Sequence, residues 1–341
     1  MSPEVRKAVR RIADGHDLTE PEMRVAMHAI LRGEATDVQI AALAVALHMK
    51  RETADELYAA ASVMREHSVK LTLPPGTVID TCGTGGDGLG VFNVSTATAI
   101  VVAACGVTVA KHGNRSISSK CGSADVLEAL GVAIDTPIDR LAEHISRLNI
   151  CFMFAPNHHP ALRHAALPRK ELGIRTFFNL VGPLSNPANA TCHLLGVHDV
   201  GRLEQMAQVL HRLGCHRAWV VHGQDGLDEI SMAGPTFVIE VIDGKLRRFE
   251  IAPHDFGMTP IAVEALRGGD ALRNAEIIRE ILRGEKSAHR AAVLVNAAGA
   301  LCVAGTCQTL KEGVARASNA IDSGAAERCL KDWIRMTQQT A

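Results

Sequence analysis

Aromatic side chains are scarce in this sequence. One Tyr, two Trp and eight Phe make up 3% of 341 residues. That excludes a stacking platform for single-stranded nucleic acid, which needs successive aromatic faces. It also means that the core must be built from aliphatic residues and Ala. An excess of either charge is missing too. Lys+Arg 36 against Asp+Glu 37 leaves a net charge of −1, so no global electrostatic footprint for DNA or RNA exists. The longest apolar run, residues 97–109, is too short to span a bilayer and is broken by Gly106 and Thr108. The first residues carry charges with no apolar region behind them, so no secretory signal is expected. Nine Cys, an odd number without a C-x-x-C pair, exclude a disulfide framework and a zinc site. Free thiols in a reducing compartment, and hence a cytoplasmic location, are the expectation.

What is present suffices for a full core: 47% hydrophobic content over a length that suits two domains. The first seventy residues read as helical. Capping boxes stand at Thr19…Glu22, Thr36…Gln39 and Thr53…Glu56. Pro21 falls in a first turn, where its missing donor costs nothing. Ile40, Leu43 and Leu47 follow at helical spacing. A helical domain over residues 1–72 is expected, closed by a candidate hinge at Leu73-Pro74-Pro75-Gly76. Beyond it, strand-like runs (Val78-Ile79, Val107–Val109, Cys151–Phe154, Ala218–Val221) alternate with helix-length segments, the pattern of βαβ units and a parallel sheet. Two further strand-like runs flank Asp243-Gly244, a hairpin signal. From about Val263 the chain is Ala-rich and helical. The fold class expected is therefore α/β: a small all-helical N-terminal domain plus a larger α/β domain, residues 73–341, with a mainly parallel sheet carrying a β-hairpin.

Chemistry concentrates between Asp80 and Asp125. The strand Val78-Ile79-Asp80 runs into Thr81-Cys82-Gly83-Thr84-Gly85-Gly86-Asp87-Gly88. Glycines there let bare amides approach phosphate oxygens closely. Asn93-Val94-Ser95-Thr96 then opens a helix, whose N-terminus adds partial positive charge and hydroxyl donors for an anion. The loop also satisfies G-x-G-x-x-G, so a dinucleotide site must be weighed. Against it, the helix opens several residues after the third glycine, and Asp87 sits inside the turn. Lys111 also stands at the next strand end, where a dinucleotide fold wants Asp or Glu. Walker A fails because no Lys-Ser/Thr closes the loop. The next strand ends in Lys111-His112-Gly113-Asn114-Arg115, with Ser119 and Ser123 beyond, before Gly122–Asp125 cap another helix. A solvated basic loop is the plain reading of Lys111 and Arg115 taken alone. Two consecutive strand ends suited to anions favour a polyphosphate site, since ligands of open α/β sheets gather beyond the carboxyl ends of strands.

These motifs closely resemble the signatures of the anthranilate phosphoribosyltransferase family. The resemblance continues through Arg169–Thr176, Asn179–Leu184, Asn186-Pro187 and Asp228-Glu229, and covers essentially the whole chain. It implies transfer of 5-phosphoribose from 5-phosphoribosyl-1-pyrophosphate (PRPP) to the amine of anthranilate, a step of tryptophan biosynthesis. It also implies the PRPP contacts Gly83, Gly85, Gly86, Asp87, Asn93, Val94, Ser95, Thr96, Lys111, His112, Gly113, Asn114, Arg115, Ser119 and Ser123. Arg169, Asn114 and Gly83 would meet anthranilate, and Arg169 suits its carboxylate by fork geometry. Asp228, Glu229 and Ser95 would hold two Mg²⁺ ions, because hard oxygens beside substrate phosphates are what Mg²⁺ prefers.

No general base is assigned, since an aromatic amine is already neutral at physiological pH. A homodimer is implied, packed through the helical domain, with residues 160–185 returning to that domain; no nucleic acid or membrane partner is expected. Pyrimidine nucleoside phosphorylases share the fold but differ in the Lys111–Arg115 loop, and a nucleic-acid-binding relative is the alternative outside catalysis. Val91 and Cys121 depart from the family pattern, in which hydroxyl residues are common there. Asp55-Glu56, a second acidic pair inside a capped helix, reads as surface, and His158-His159 reads as loop or channel lining.

Overall fold

Hydroxyl N-caps punctuate the start of the chain and produce four helices: α1 (Pro3–Ala13), α2 (Glu20–Leu31), α3 (Asp37–Lys50) and α4 (Ala54–Glu66). All three expected capping boxes form, and Pro21 lies in the first turn of α2. Ile40, Leu43 and Leu47 are fully buried. The computed structural model describes residues 1–73, 75–116 and 120–339. Pro74 of the candidate hinge and Ser119 of the expected cradle lie outside the described residues.

A βα alternation follows: β1 (Val78–Gly83), α5 (Val94–Ala104), β2 (Thr108–Gly113), α6 (Ser123–Leu130), α7 (Ile138–Leu148) and β3 (Ile150–Phe154). The short α8 (Ala155–His158), a 3₁₀ segment Pro160–Ala165, α9 (Ala166–Leu172) and α10 (Phe177–Leu184) lead to β4 (Cys192–Gly196). Next come α11 (Leu203–Arg212), β5 (Arg217–Gly223) and the hairpin β6 (Thr236–Ile242) with β7 (Lys245–Ile251). α12 (Ala271–Leu282), α13 (Ala288–Val303), α14 (Leu310–Asp322) and α15 (Ala325–Gln338) complete the helices. At the hairpin tip Asp243 and Gly244 both take positive φ, 48° and 76°, as a tight two-residue turn demands.

The sheet runs β3-β2-β1-β4-β5-β6-β7, with β1 to β5 parallel and β6 and β7 antiparallel. Alternation along each strand feeds two cores. Ile79, Leu194, Trp219 and Val221 face one core, with α5 and α12–α15. Cys82, Leu195, Ala218 and Val220 face the other, which is continuous with the interior of the helical bundle. The bundle thus packs on one face of the sheet. Arg65 of α4 ties it down further, donating from Nε to the Leu184 carbonyl at 2.8 Å and from Nη1 to that of Leu213 at 3.0 Å.

β4 is absent from the expected strands. Its sequence, Cys-His-Leu-Leu-Gly, has no β-branched residue, and its position between β1 and β5 overrides that weak propensity. Residues 160–172, part of the segment expected to return to the helical domain, divide into the 3₁₀ segment and α9. Because the chain lays β2 and β3 on one side of β1 and β4 on the other, the order reverses at β1. Such a reversal opens a crevice beyond the carboxyl ends of the two strands that flank it, here β1 and β4.

Candidate active site

Two glycines in register form the floor of that crevice. Gly83 ends β1 and pairs with Gly196, which ends β4. A Cβ on Gly83 would stand 2.5 Å from Asp228 Oδ2, and one on Gly196 would overlap the Asp228 carbonyl. Asp228, delivered by the loop after β5, is therefore wedged between the strand ends. The Gly85 N–H donates to its Oδ2 at 2.7 Å. Gly85 and Gly86 sit at φ 64° and 85°, the left-handed region that glycine takes without strain. Asp87 anchors the far side of the loop by accepting from the Leu89 N–H at 3.1 Å.

Electrostatics in this corner are unfavourable as they stand. Burial, reinforced by the nearby Asp87 carboxylate, pushes the Asp228 carboxyl well above its usual range. Burial and then Asp228 push Glu229 up in turn, opposed by Lys111 and the Ser95 backbone N–H. Three carboxylates thus converge on the glycine loop while losing water. That is a hard-oxygen donor set suited to a divalent cation beside a phosphate.

Asn93 caps α5 in position, yet its amide is engaged: Nδ2 donates to the Cys121 carbonyl at 3.2 Å and Oδ1 accepts from Asn274 at 2.9 Å. Val94 and Thr96 are buried, and the Thr96 hydroxyl has no hydrogen-bond partner among the described residues. Ser95 is partly exposed at the helix start, with its hydroxyl 3.4 Å from Lys111 Nζ. Lys111 stands near the end of β2, as expected, but is only 2% exposed and so is not part of a solvated basic loop, and its ammonium donates to the Thr81 carbonyl.

His112 is buried 5.1 Å from the His159 ring, and burial first, His159 second, pull its pKa far down. A Cβ on Gly113 would strike the Ser123 hydroxyl and the Phe152 ring. Asn114 and Arg115 are exposed. The Asn114 carbonyl accepts from Ser123 Oγ at 3.4 Å. Arg115 forks onto Glu128, with Nη2 to Oε1 at 2.8 Å, and reaches Asp125 at 3.2 Å. Val91 forms an isolated bridge with Arg267, and Cys121 is buried.

Arg169, on α9, lies 5.2 Å above the Phe178 ring, and desolvation lowers its pKa. His158, which ends α8, and His159, in the connection that follows, are both buried; His158 Nδ1 is 2.8 Å from the Val69 carbonyl. Glu56 is likewise fully buried, where a surface position was expected, while its neighbour Asp55 is exposed. Asp80, Cys82 and His193 bring three metal-type ligand atoms within 4.8 Å of one another. Asp80 is already committed, however, to Asn186 Nδ2 at 2.7 Å and the His112 N–H at 3.3 Å. That cluster is a structural knot under the strand ends.

Two partners of the loop escaped sequence reading. Gly196 is one, since β4 itself went unseen. Arg175 is the other: its Nη2 donates to the Thr84 carbonyl at 2.8 Å. Gly173, with φ 61° at the end of α9, was the available signal that the chain turns back there.

The descriptions of known proteins agree with this arrangement. The family described as "Glycosyl transferase family, helical bundle domain" matches residues 6–68, and "Glycosyl transferase family, a/b domain" matches residues 75–327. An anthranilate phosphoribosyltransferase of Myxococcus xanthus is 52% identical over 97% of this chain and 98% of its own. The anthranilate phosphoribosyltransferase structure from Thermus thermophilus superimposes with a TM-score of 0.91 at 43% identity, covering 97% of this chain and 99% of that one. The Saccharomyces cerevisiae enzyme, solved in complex with PRPP and Mg, gives 0.92 at 26% identity, covering 99% of both. With both domains matched in order and half of all positions identical to a full-length relative, the chain belongs to the anthranilate phosphoribosyltransferase family.

Proposed function

We propose that this protein transfers the 5-phosphoribosyl group of PRPP to the amine of anthranilate, releasing pyrophosphate, as a step of tryptophan biosynthesis. The observation that carries the reading is Asp228, held against Gly83 and Gly196 at the sheet's reversal point and bonded by the Gly85 amide. Breaking the bond from ribose C1 to pyrophosphate builds positive charge on the sugar and negative charge on the leaving group. The protein's work is then to place and neutralise charge.

Gly85, whose amide holds Asp228, and Gly86 shape the loop, and the start of α5 at Ser95 adds a helix N-terminus to the same corner. Gly83, Asp87, Asn93, Val94 and Thr96 build and hold this cradle. Lys111, with His112 beside it on β2, supports it from below, and Gly113, Asn114, Arg115 and Ser123 border it. Ser119 extends the cradle by family pattern. Asp228, Glu229 and Ser95 would hold Mg²⁺, with two ions per subunit as the family pattern implies. Bound there, Mg²⁺ supplies charge neutralisation to the departing pyrophosphate.

Arg169 meets the anthranilate carboxylate, and Asn114 and Gly83 border the acceptor. The amine's lone pair attacks C1 as the C1–O bond breaks, and the acidic proton that the nitrogen then carries passes to the released pyrophosphate or to water, so no strong base is needed. A homodimer formed through the helical domain, and a cytoplasmic location, follow from the same family pattern.

The direct assay mixes anthranilate, PRPP and Mg²⁺ with the protein and follows anthranilate fluorescence. Mg²⁺-dependent loss of signal is expected; a steady signal at high protein concentration would sink the proposal. Arg169→Ala is expected to raise the anthranilate KM by roughly 10- to 100-fold, the worth of a charge-assisted fork, with the PRPP KM little changed.

A further inference from the structure

A pyrophosphate leaving group needs cations, and Lys111 and Arg115 both have partners within the protein. Lys111 is buried, with its ammonium donating to the Thr81 carbonyl and lying 3.4 Å from Ser95 Oγ. Arg115 is bound to Glu128 and Asp125 of α6. Meanwhile Asp87, Asp228 and Glu229 already crowd the loop with negative charge.

Arg175 reaches the loop with donors to spare. It stands between α9 and α10 and is partly exposed. Its Nη2 donates to the Thr84 carbonyl at 2.8 Å and lies 3.5 Å from His198 Nδ1. Thr84 is fixed in turn, because its hydroxyl accepts from the His198 N–H at 3.2 Å. The rest of the guanidinium covers Gly86: a Cβ on that residue would collide with Nη1 and approach Nε to 2.9 Å. Its attraction to Asp228 and Asp87 acts through space, without an ion pair among the described residues. A guanidinium carries five N–H donors in a planar fork matched to phosphate oxygens.

We infer that Arg175 is a further binding residue for the pyrophosphate half of the donor substrate, holding the glycine-rich loop by the Thr84 carbonyl and offering its remaining donors to the leaving group. This rests on the reading of the loop as a pyrophosphate cradle. When the C1–O bond breaks, its electron pair stays on the pyrophosphate oxygen, and the guanidinium meets the added charge. Arg169 and Arg175 share one segment, so acceptor and leaving group would be gripped from the same stretch of chain.

Calorimetric titration of the full chain with inorganic pyrophosphate in Mg²⁺ tests this. Arg175→Ala should weaken binding by about tenfold or more, the size of a charge-assisted hydrogen bond. Arg175→Gln can still donate to the Thr84 carbonyl but carries no charge. It should bind as weakly as the Ala variant, whereas a residue that only props the loop would be rescued. Arg169→Ala should bind pyrophosphate like the unaltered protein. Either Arg175 variant binding within about twofold of the unaltered protein would overturn the inference. Should the Ala variant lose its circular dichroism signal, the Gln variant decides alone. An unaltered protein that binds no pyrophosphate in Mg²⁺ would instead overturn the cradle reading itself.

Discussion

The same dipeptide, Asp-Glu, occurs at 55–56 in α4 and at 228–229 after β5, and the two pairs live in opposite conditions. Glu56 is buried and fully answered: its Oε1 accepts from the Leu18 N–H at 2.8 Å, and its Oε2 from Lys50 Nζ at 2.9 Å and the Thr53 N–H at 2.8 Å. Asp55 is exposed and paired with Arg212 at 2.6 Å. Asp228 is also buried, but it accepts from a glycine amide, two further carboxylates stand near it, and the nearby Arg175 attracts it only through space. A buried carboxylate with a cation and amides closes a fold. One held beside like charges is kept at a cost to stability, an arrangement that suits the cation-binding role proposed for it.

That contrast can be broken at four side chains. Asp228→Asn should lower kcat/KM on the order of a thousandfold by removing a hard anionic ligand, and should not reduce the urea midpoint. A fall in stability with activity intact would reverse the assignment. Glu56→Ala should do the opposite. It strands the Leu18 and Thr53 backbone donors and leaves Lys50 with Asp17 as its only carboxylate partner among the described residues, and is expected to cost about 2–4 kcal/mol in urea unfolding, with kcat per folded molecule unchanged. Arg169→Ala stands between them, touching only the acceptor KM. Asp55→Ala sets the lower bound. Its partner Arg212 is still bonded to Glu20 at 2.9 Å, so a stability change below ~1 kcal/mol is expected.

Much of this was legible in the sequence, for local reasons. Capping boxes, the Asp243-Gly244 turn and the glycine run specify backbone geometry within a few residues, and each is found in place. The glycine loop and Asp228-Glu229 were legible as chemistry because their residue types are expensive to hold anywhere else. Three things were not. β4 is a strand by its place in the sheet and not by its composition. Glu56 looks like a surface acid in its own helix, and only Leu18 and Lys50, distant in sequence or on another helix, show that it is buried. Lys111 and Arg115 look alike as a basic pair, yet strand alternation buries the first while Glu128 captures the second. Which cation faces the loop is a tertiary fact, and it falls to Arg175.

The most direct test of the central claim is PRPP binding as a function of divalent cation, with Mn²⁺ as the spectroscopic probe, in Asp228→Asn and Asp55→Asn compared with the unaltered protein. The Asp228 variant should lose the cation-dependent part of PRPP binding and the bound Mn²⁺ signal, while the Asp55 variant keeps both. Equal behaviour of the two variants would contradict the account, because the acids at the sheet's reversal point would then be no different from those on the helix.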